Sequence, residues 1–142
     1  AIISVYGMIW GGGQLITGPL SDRIGRKPLI VWGMGLCGLG VLLIPYTDTA
    51  LLWTLEAGAI GIGMAMLYPN LGAAVGDVAP VRHRASIIGI YRFWRDSGYA
   101  FGALVMGLIA QWGDNLVLPF WFVGIAMMLS GGYVSVALKS KN

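Results

Sequence analysis

One stretch limits what this chain can fold into: Gly18-Pro19-Leu20-Ser21-Asp22-Arg23-Ile24-Gly25-Arg26-Lys27-Pro28. It packs four charges between two runs that carry none, Ala1–Thr17 and Leu29–Tyr46. Each flanking run is about as long as the roughly 20 apolar residues needed to cross a bilayer. The runs can sit in hydrocarbon; the stretch between them cannot.

Composition extends that reading to the whole chain. Hydrophobic residues make up 57% and charged residues 11%, against about 45–50% and about 25% in soluble domains. A soluble fold of 142 residues could not hide that much apolar surface. The runs are too long for strands and lack period-two alternation. An open sheet edge would leave backbone groups unpaired in lipid. The expected fold class is therefore all-α, a polytopic membrane helix bundle.

Five spanning helices are predicted, over about 1–20, 28–46, 51–78, 85–112 and 116–138, forming a single partial transmembrane domain over 1–142. Pro28 falls in a first turn, where its missing N–H does no harm. Pro69 lies inside the third helix and is expected to kink it. The fourth helix exceeds a membrane core, so its first turns project into water. The chain opens inside an apolar run, with no initiator Met and no signal-peptide pattern, and reads as a piece of a longer protein.

All nine Lys and Arg residues fall on one side of this layout: Arg23, Arg26, Lys27, Arg82, Arg84, Arg92, Arg95, Lys139 and Lys141. The opposite turns hold only Asp48 and Asp114. The positive-inside tendency makes the basic side, and with it the C-terminus, cytoplasmic. Charges placed at helix ends, rather than along one face, argue against nucleic acid as a partner and for the lipid bilayer. Tyr46, Trp53 and Trp112 fall near the outer interface and Trp32 and Trp94 near the inner one, as an aromatic belt would place them, although ordinary helix packing explains any single one as well.

Polarity divides the helices. The second and fifth contain no charged, Asn or Gln residue and can face lipid. The first carries Gln14; the third Glu56, Tyr68 and Asn70; the fourth Tyr91, Arg92, Arg95, Asp96, Ser97 and Tyr99. These three must turn polar surface to protein or water. Arg92 and Asp96 are i,i+4 and can pair, leaving Arg95 to find its own partner. Asp96 lies about 24 Å from the outer surface, inside the cytoplasmic edge of the core. The cluster either anchors the helix with snorkelling arginines or forms a substrate or proton site. Glu56, some two turns in from the outer side, either exchanges a proton during a cycle or reaches outer water or caps a neighbouring helix. Gln14, Glu56, Asn70, Arg92, Arg95 and Asp96 are the candidate substrate or proton path.

The GxxxG spacings Gly72–Gly76 and Gly98–Gly102 would permit close helix approach. Gly58-Ala-Ile-Gly61-Ile-Gly63 has the look of a nucleotide loop but follows no strand, so that reading is rejected. The lone His83 lies in a polar connection, the lone Cys37 in an apolar run, and no catalytic or metal-ligating constellation is visible. The sequence calls for no enzyme activity, no metal and no cofactor.

Gly18-x-Leu20-Ser21-Asp22-Arg23-x-Gly25-Arg26-Lys27 resembles the signature loop of the major facilitator superfamily, G-x-L-(A/S)-D-R-x-G-R-(K/R). Asp77-x-x-Pro80-x-x-x-Arg84-x-x-x-x-Gly89 resembles the acidic-Pro-Arg-Gly pattern that ends the fourth or tenth helix in that family. The resemblance covers the chain in helix count, loop length and orientation. It implies a transporter of twelve helices in two halves, of which this chain is helices eight to twelve or two to six. The stretch Tyr91–Gly98, which looks like an eleventh helix, and the lack of the Gly-Pro motif found in the fifth helix of many antiporters favour eight to twelve.

The resemblance further implies secondary active transport of a small-molecule solute by alternating access, coupled to a proton or ion, with the missing N-terminal half of the same transporter as partner in the plasma (inner) membrane. Gly18, Asp22, Arg23, Gly25, Arg26, Lys27, Asp77 and Arg84 would form a cytoplasmic gate. Within it, Arg26 could pair with Asp77, which Arg84 also approaches; Asp22 could meet a helix N-terminus of the missing half; Gly18 and Gly25 would allow close chain approach. The plainer alternative is that the basic trio only sets topology. A non-transporting membrane sensor or assembly subunit, or an inactive transporter fragment, also fits the sequence.

Overall fold

The computed structural model describes residues 2–138, so Lys139 and Lys141 of the expected basic tail lie outside it. Five helices follow one another: α1 (Ile2–Ile24), α2 (Arg26–Leu43), α3 (Ala50–Val78), α4 (Arg84–Gly113) and α5 (Val117–Ala137). Short 3-10 turns at Ile44–Tyr46 and Val81–His83 join α2 to α3 and α3 to α4. There is no strand among the described residues. On length and composition, Arg26–Tyr46, Ala50–Val78 and Val117–Ala137 are able to cross a membrane. The spans α1 and α4 are long enough but more polar, α1 through its glycines and Gln14 and α4 through its charges.

Local chemistry explains the ends. α1 continues about a turn past the predicted Leu20, so Ser21, Asp22, Arg23 and Ile24 are helical rather than loop. Only Gly25 interrupts the chain, at φ +89°, a conformation glycine adopts without the Cβ clash of other residues. Its N–H donates to the Ser21 carbonyl at 3.0 Å. At the start of α3, Thr49 is the N-cap, its Oγ1 accepting from the Leu52 N–H at 3.3 Å, which satisfies one orphan donor. α4 ends on Asp114 in the left-handed conformation, at φ 45°. The Asn115 Oδ1 accepts from the Val117 N–H at 2.8 Å as α5 begins.

α3 is central. α1 packs along one side of it and α2 along another, while α5 packs on α2. The contacts are made by small residues. A Cβ on Gly63 would lie 2.9 Å from the Gly33 carbonyl oxygen and 3.1 Å from the Cys37 nitrogen, so α2 and α3 meet backbone to backbone. A Cβ on Gly61 would lie 3.0 Å from the Tyr6 oxygen, and one on Gly13 would lie 2.7 Å from the Ala65 Cβ, bringing α1 against α3. Gly38 and Gly124 do the same for α2 and α5, each with the other's oxygen 3.0 Å away. The run Gly58–Gly63 is thus a packing face.

Residue numbers rise together along α1 and α3 and run oppositely along α2 and α3, α2 and α5, and α3 and α4. The helices therefore alternate in direction. The ends bearing Arg23, Arg26, Lys27, Arg82 and Arg84 gather at one end of the bundle, opposite the turns that hold Asp48 and Asp114.

Three expectations are corrected. α2 is not simply a lipid-facing helix: Leu29, Ile30, Gly33, Cys37, Gly38 and Gly40 are buried between α3 and α5, with Trp32, Leu39 and Leu43 left on its outer side. Neither of the GxxxG spacings singled out is a close contact. Gly98 and Gly102 face open space, and Gly72 and Gly76 meet only the tips of Tyr91 and Ile88, at 3.9 and 4.0 Å. Gly18, too, has nothing within 4 Å, so no tight approach depends on it here.

Pro69 removes the N–H that would have bonded the Ala65 carbonyl. The Thr17 hydroxyl, arriving from α1, donates to that carbonyl at 2.6 Å in a buried contact. In hydrocarbon a freed backbone group needs such a substitute. The proline and its compensation thus tie α1 to the middle of α3.

Gly63→Val forces β-branched bulk between two backbones and is expected to lower the stability of the detergent-solubilised protein by about 1–3 kcal/mol. Gly98→Ala, in open space on a helix, is expected to leave it unchanged or raise it by up to about 1 kcal/mol. Thermal unfolding of both variants checks the assignment, and equal losses would overturn it.

Candidate functional site

The basic end of the bundle contains one well-formed ion pair. The Arg26 Nε lies 2.6 Å from Asp77 Oδ2, and its Nη2 donates to Oδ1 at 3.3 Å. The guanidinium thus meets both carboxylate oxygens, Oδ1 through a hydrogen bond and Oδ2 as a close ion contact. Both side chains are partly exposed, at 26% and 42%. The local fold explains the meeting. Gly25 ends α1, so Arg26 is the first residue of α2, while Asp77 is next to last in α3. The antiparallel packing of α2 on α3 brings these two ends together.

The neighbouring charges are not drawn in. Asp22, Arg23 and Arg84 are exposed, and Lys27 is half-buried. None of them forms an ion pair among the described residues. Arg84 starts α4 beyond the Val81–His83 turn and does not reach Asp77. Pro80 anchors that turn by accepting from the His83 N–H at 2.9 Å.

A second group lies farther into the bundle. Arg95, not Arg92, is the partner of Asp96, with Nε 2.8 Å from Oδ1; Arg92 is exposed. The expected i,i+4 pair is absent, Asp96 being taken by Arg95, whose guanidinium also lies across aromatic rings. Its guanidinium carbon is 4.9 Å from the Tyr68 ring centre and 5.8 Å from that of Tyr91, within the range of cation–π attraction. Tyr68 in turn meets Trp10 edge-on at 5.4 Å, and Trp10 meets Tyr6 at 5.7 Å. Tyr6, Trp10 and Tyr68 form a column between α1 and α3, with Arg95 and Asp96 at one end. The Trp10 Nε1–H is buried with no acceptor among the described residues.

The other candidates fall in different places. Asn70 is buried and donates to the Met66 carbonyl of its own helix at 2.6 Å, so its amide serves α3 locally. Gln14 is half-buried on α1, one turn before Thr17. Glu56 is not a lone carboxylate: the Thr47 hydroxyl lies 3.1 Å from its Oε2 and 3.0 Å from the Ile44 carbonyl oxygen, its one proton shared between the two acceptors. The Thr47 carbonyl also accepts from Trp53 Nε1 at 2.8 Å, holding the outer connection against α3. Among the described residues no group of His, Cys, Asp and Glu could hold a metal ion.

Sequence reasoning missed Thr17, Tyr6, Trp10 and the stacking role of Tyr68. The signals were there: Tyr6 and Trp10 are i,i+4 on α1, as are Tyr91 and Arg95 on α4, spacings that place side chains on one face.

Residues 1–141 match the sequence pattern of the Major Facilitator Superfamily. The chain belongs to this family. The two stretches that resemble motifs of the superfamily supply the two halves of the Arg26–Asp77 pair. Its methyl viologen resistance protein SmvA from Salmonella typhimurium is 31% identical over 137 residues, covering 94% of this chain and 28% of that protein. Quinidine resistance protein 1 of Saccharomyces cerevisiae is 32% identical over 128 residues, covering 87% of this chain and 22% of the relative. The inner membrane transport protein YajR of Escherichia coli is 29% identical over 128 residues, covering 87% and 26%. The chain thus spans between a fifth and three tenths of the length of these relatives. No solved structure matches it. Family membership and the three long apolar helices make it an integral membrane chain, and the names of these relatives are those of transport and resistance proteins.

Reversing Arg26 alone or Asp77 alone is expected to lower the thermal midpoint in detergent. The exchanged pair, Arg26→Asp with Asp77→Arg, is expected to regain most of the loss. The coupling should be about 0.5–1 kcal/mol, as suits a partly exposed pair, and Asp22→Asn serves as a control expected to shift nothing. A double variant no more stable than the sum of the two single changes would show that the contact carries no energy.

Proposed function

We propose that the chain is helices eight to twelve of a twelve-helix secondary transporter that moves a small organic solute by alternating access, coupled to a proton or ion gradient. In this reading the basic end and the C-terminus face the cytoplasm, in the plasma or inner membrane. The N-terminal half of the same protein completes the solute path.

The observation that carries the proposal is the Arg26–Asp77 ion pair. It links the start of α2 to the end of α3, and each partner comes from a different stretch that resembles a motif of the superfamily. Topology alone needs positive charge on the basic side. It does not need a guanidinium aligned on a carboxylate 51 positions away. Such a contact holds two helix ends together at one side of the membrane, and it is exposed enough for water to replace it when the ends part. Gly25 is the single residue between α1 and α2, so a change in the angle between them falls on its backbone. Asp22, one turn earlier and free of ion pairs among the described residues, is available to a helix N-terminus of the other half, where the dipole favours an anion. The names of the relatives, resistance to methyl viologen and to quinidine, support export of a toxic organic compound.

Transport by the full-length protein in proteoliposomes, against a panel of solutes with and without a proton gradient, tests the function. Asp22→Asn is expected to reduce the rate by about tenfold or more, the size of a lost charge-assisted hydrogen bond, while membrane insertion stays normal. Undiminished transport by that variant would rule out the gate.

A further inference from the structure

The Arg95 guanidinium sits on aromatic surface that could hold a ligand. Two rings from two helices take this one cation, Tyr68 of α3 at 4.9 Å and Tyr91 of α4 at 5.8 Å. Behind Tyr68 the aromatic surface continues through Trp10 to Tyr6. The Arg95 side chain is only 25% exposed, whereas that of Asp96 beside it is 58% exposed. The two share a single contact, from Nε to Oδ1. Being adjacent in the chain, they stay within reach of each other whether or not the guanidinium keeps the rings. Little else fixes the arginine in place: α4 has no buried residue and meets α3 only lightly. At Gly72 and Gly76 the face of α3 turned to α4 keeps ordinary contact distances of 3.9 and 4.0 Å, so side chains there are not locked by close backbones.

We propose that Arg95 is a tethered occupant of a site formed by Tyr68 and Tyr91, and that a planar organic cation binds there by displacing it. The face of an aromatic ring attracts a cation of either origin, the protein's own or a solute's. Guanidinium is planar and more weakly hydrated than an ammonium, and its place on the rings marks the kind of ion they accept. An organic anion would meet the negative faces of the rings. Displacement strands no charge, because Arg95 keeps Asp96 as its counter-ion and moves to the exposed side where that carboxylate lies. The arginine therefore lowers the affinity of the site instead of supplying it. It competes for the rings at an effective concentration set by its own short side chain, and it covers them again once the solute has left. A tethered competitor of this kind speeds release, which is the step an exporter must complete. The proposal deepens the transport reading above and rests on it for the class of solute.

The test is equilibrium binding to the full-length protein in detergent, with ethidium as a planar aromatic cation and phenanthridine as its uncharged ring system. Arg95→Met is expected to tighten ethidium binding by about fivefold, the size of one cation–π contact no longer competed for, and to leave phenanthridine nearly unchanged. Arg95→Gln is expected to do the same, and guards against a single variant that merely misfolds. Removing a positive charge would by itself favour any cation nearby, so the ring decides the matter. With Tyr68→Leu added to Arg95→Met, the gain is expected to vanish. Ethidium binding that is unchanged or weaker in both Arg95 variants would show that the arginine only fastens α4 to α3, and would overturn the proposal. A gain that survives Tyr68→Leu would overturn it as well. Transport is read separately in proteoliposomes. A Tyr68-dependent gain in binding without transport of any solute would leave the site standing and remove the transporter. Solute transport with no such gain would do the reverse.

Discussion

Everything in this bundle depends on how closely α3 can approach its neighbours. Lipid is as apolar as leucine, so apolar burial gives two membrane helices no reason to associate. What remains is packing and hydrogen bonding. The chain meets this with glycine. At Gly33 and Gly63 the backbones of α2 and α3 are so near that neither residue could carry a Cβ without displacing the other helix. The approach also lets the Cys37 thiol donate to the Ile60 carbonyl at 3.5 Å. Because α1 and α2 both rest on α3, and α5 rests on α2, loosening this contact would loosen the whole arrangement. α4 is the exception, with no buried residue at all and only light contact with α3 and α5.

The position of the ion pair follows from that packing. α2 and α3 are held in register by glycine contacts in mid-membrane, and the pair forms where their ends emerge. Its partial exposure matters to the proposed role. A fully buried pair would cost about 3–5 kcal/mol to break by loss of one partner, whereas an exposed pair is worth about 1 kcal/mol or less. A contact that must open and close in each cycle belongs nearer the second value. The Nη2–Oδ1 hydrogen bond adds direction without adding much depth to the well.

How much of this was legible beforehand depended on the kind of signal. Helix number, direction and approximate limits are written in hydropathy, because lipid imposes one rule on every residue of a span. The pairing of Arg26 with Asp77 was legible because two motifs with fixed spacing pointed to it. The helical state of Ser21–Ile24 was not, since side-chain polarity says little about whether a backbone keeps its i→i−4 bonds; only Gly25, with its positive φ, marks the true break. Nor could spacing choose the working glycines. With 23 in the chain, GxxxG matches arise on open faces such as Gly98–Gly102 as readily as on closed ones. The partner of Asp96 was misassigned to Arg92 for a related reason. Sequence offers i,i+4 partners on one helix, but the rings of Tyr68 come from another and are visible only after folding.

α3 is where these strands of argument meet. It carries Glu56 near one end and Asp77 near the other, about 30 Å apart along the axis. Between them lies Pro69, where the backbone ladder is already interrupted. The Ala65 carbonyl left free there is satisfied from outside the helix by Thr17. A bend at this point therefore does not have to break an internal hydrogen bond; it has only to lengthen one contact to α1. Elsewhere in α3 a bend would strain the ladder itself, with no water in the hydrocarbon to take over a lost bond. The proline thus leaves one place between the Glu56 end and the Asp77 end where the backbone ladder is closed from outside the helix. It is α1, the helix that also carries Tyr6 and Trp10, that supplies this closing bond through Thr17, so the break in the ladder of α3 is made good only while α1 stays packed against it.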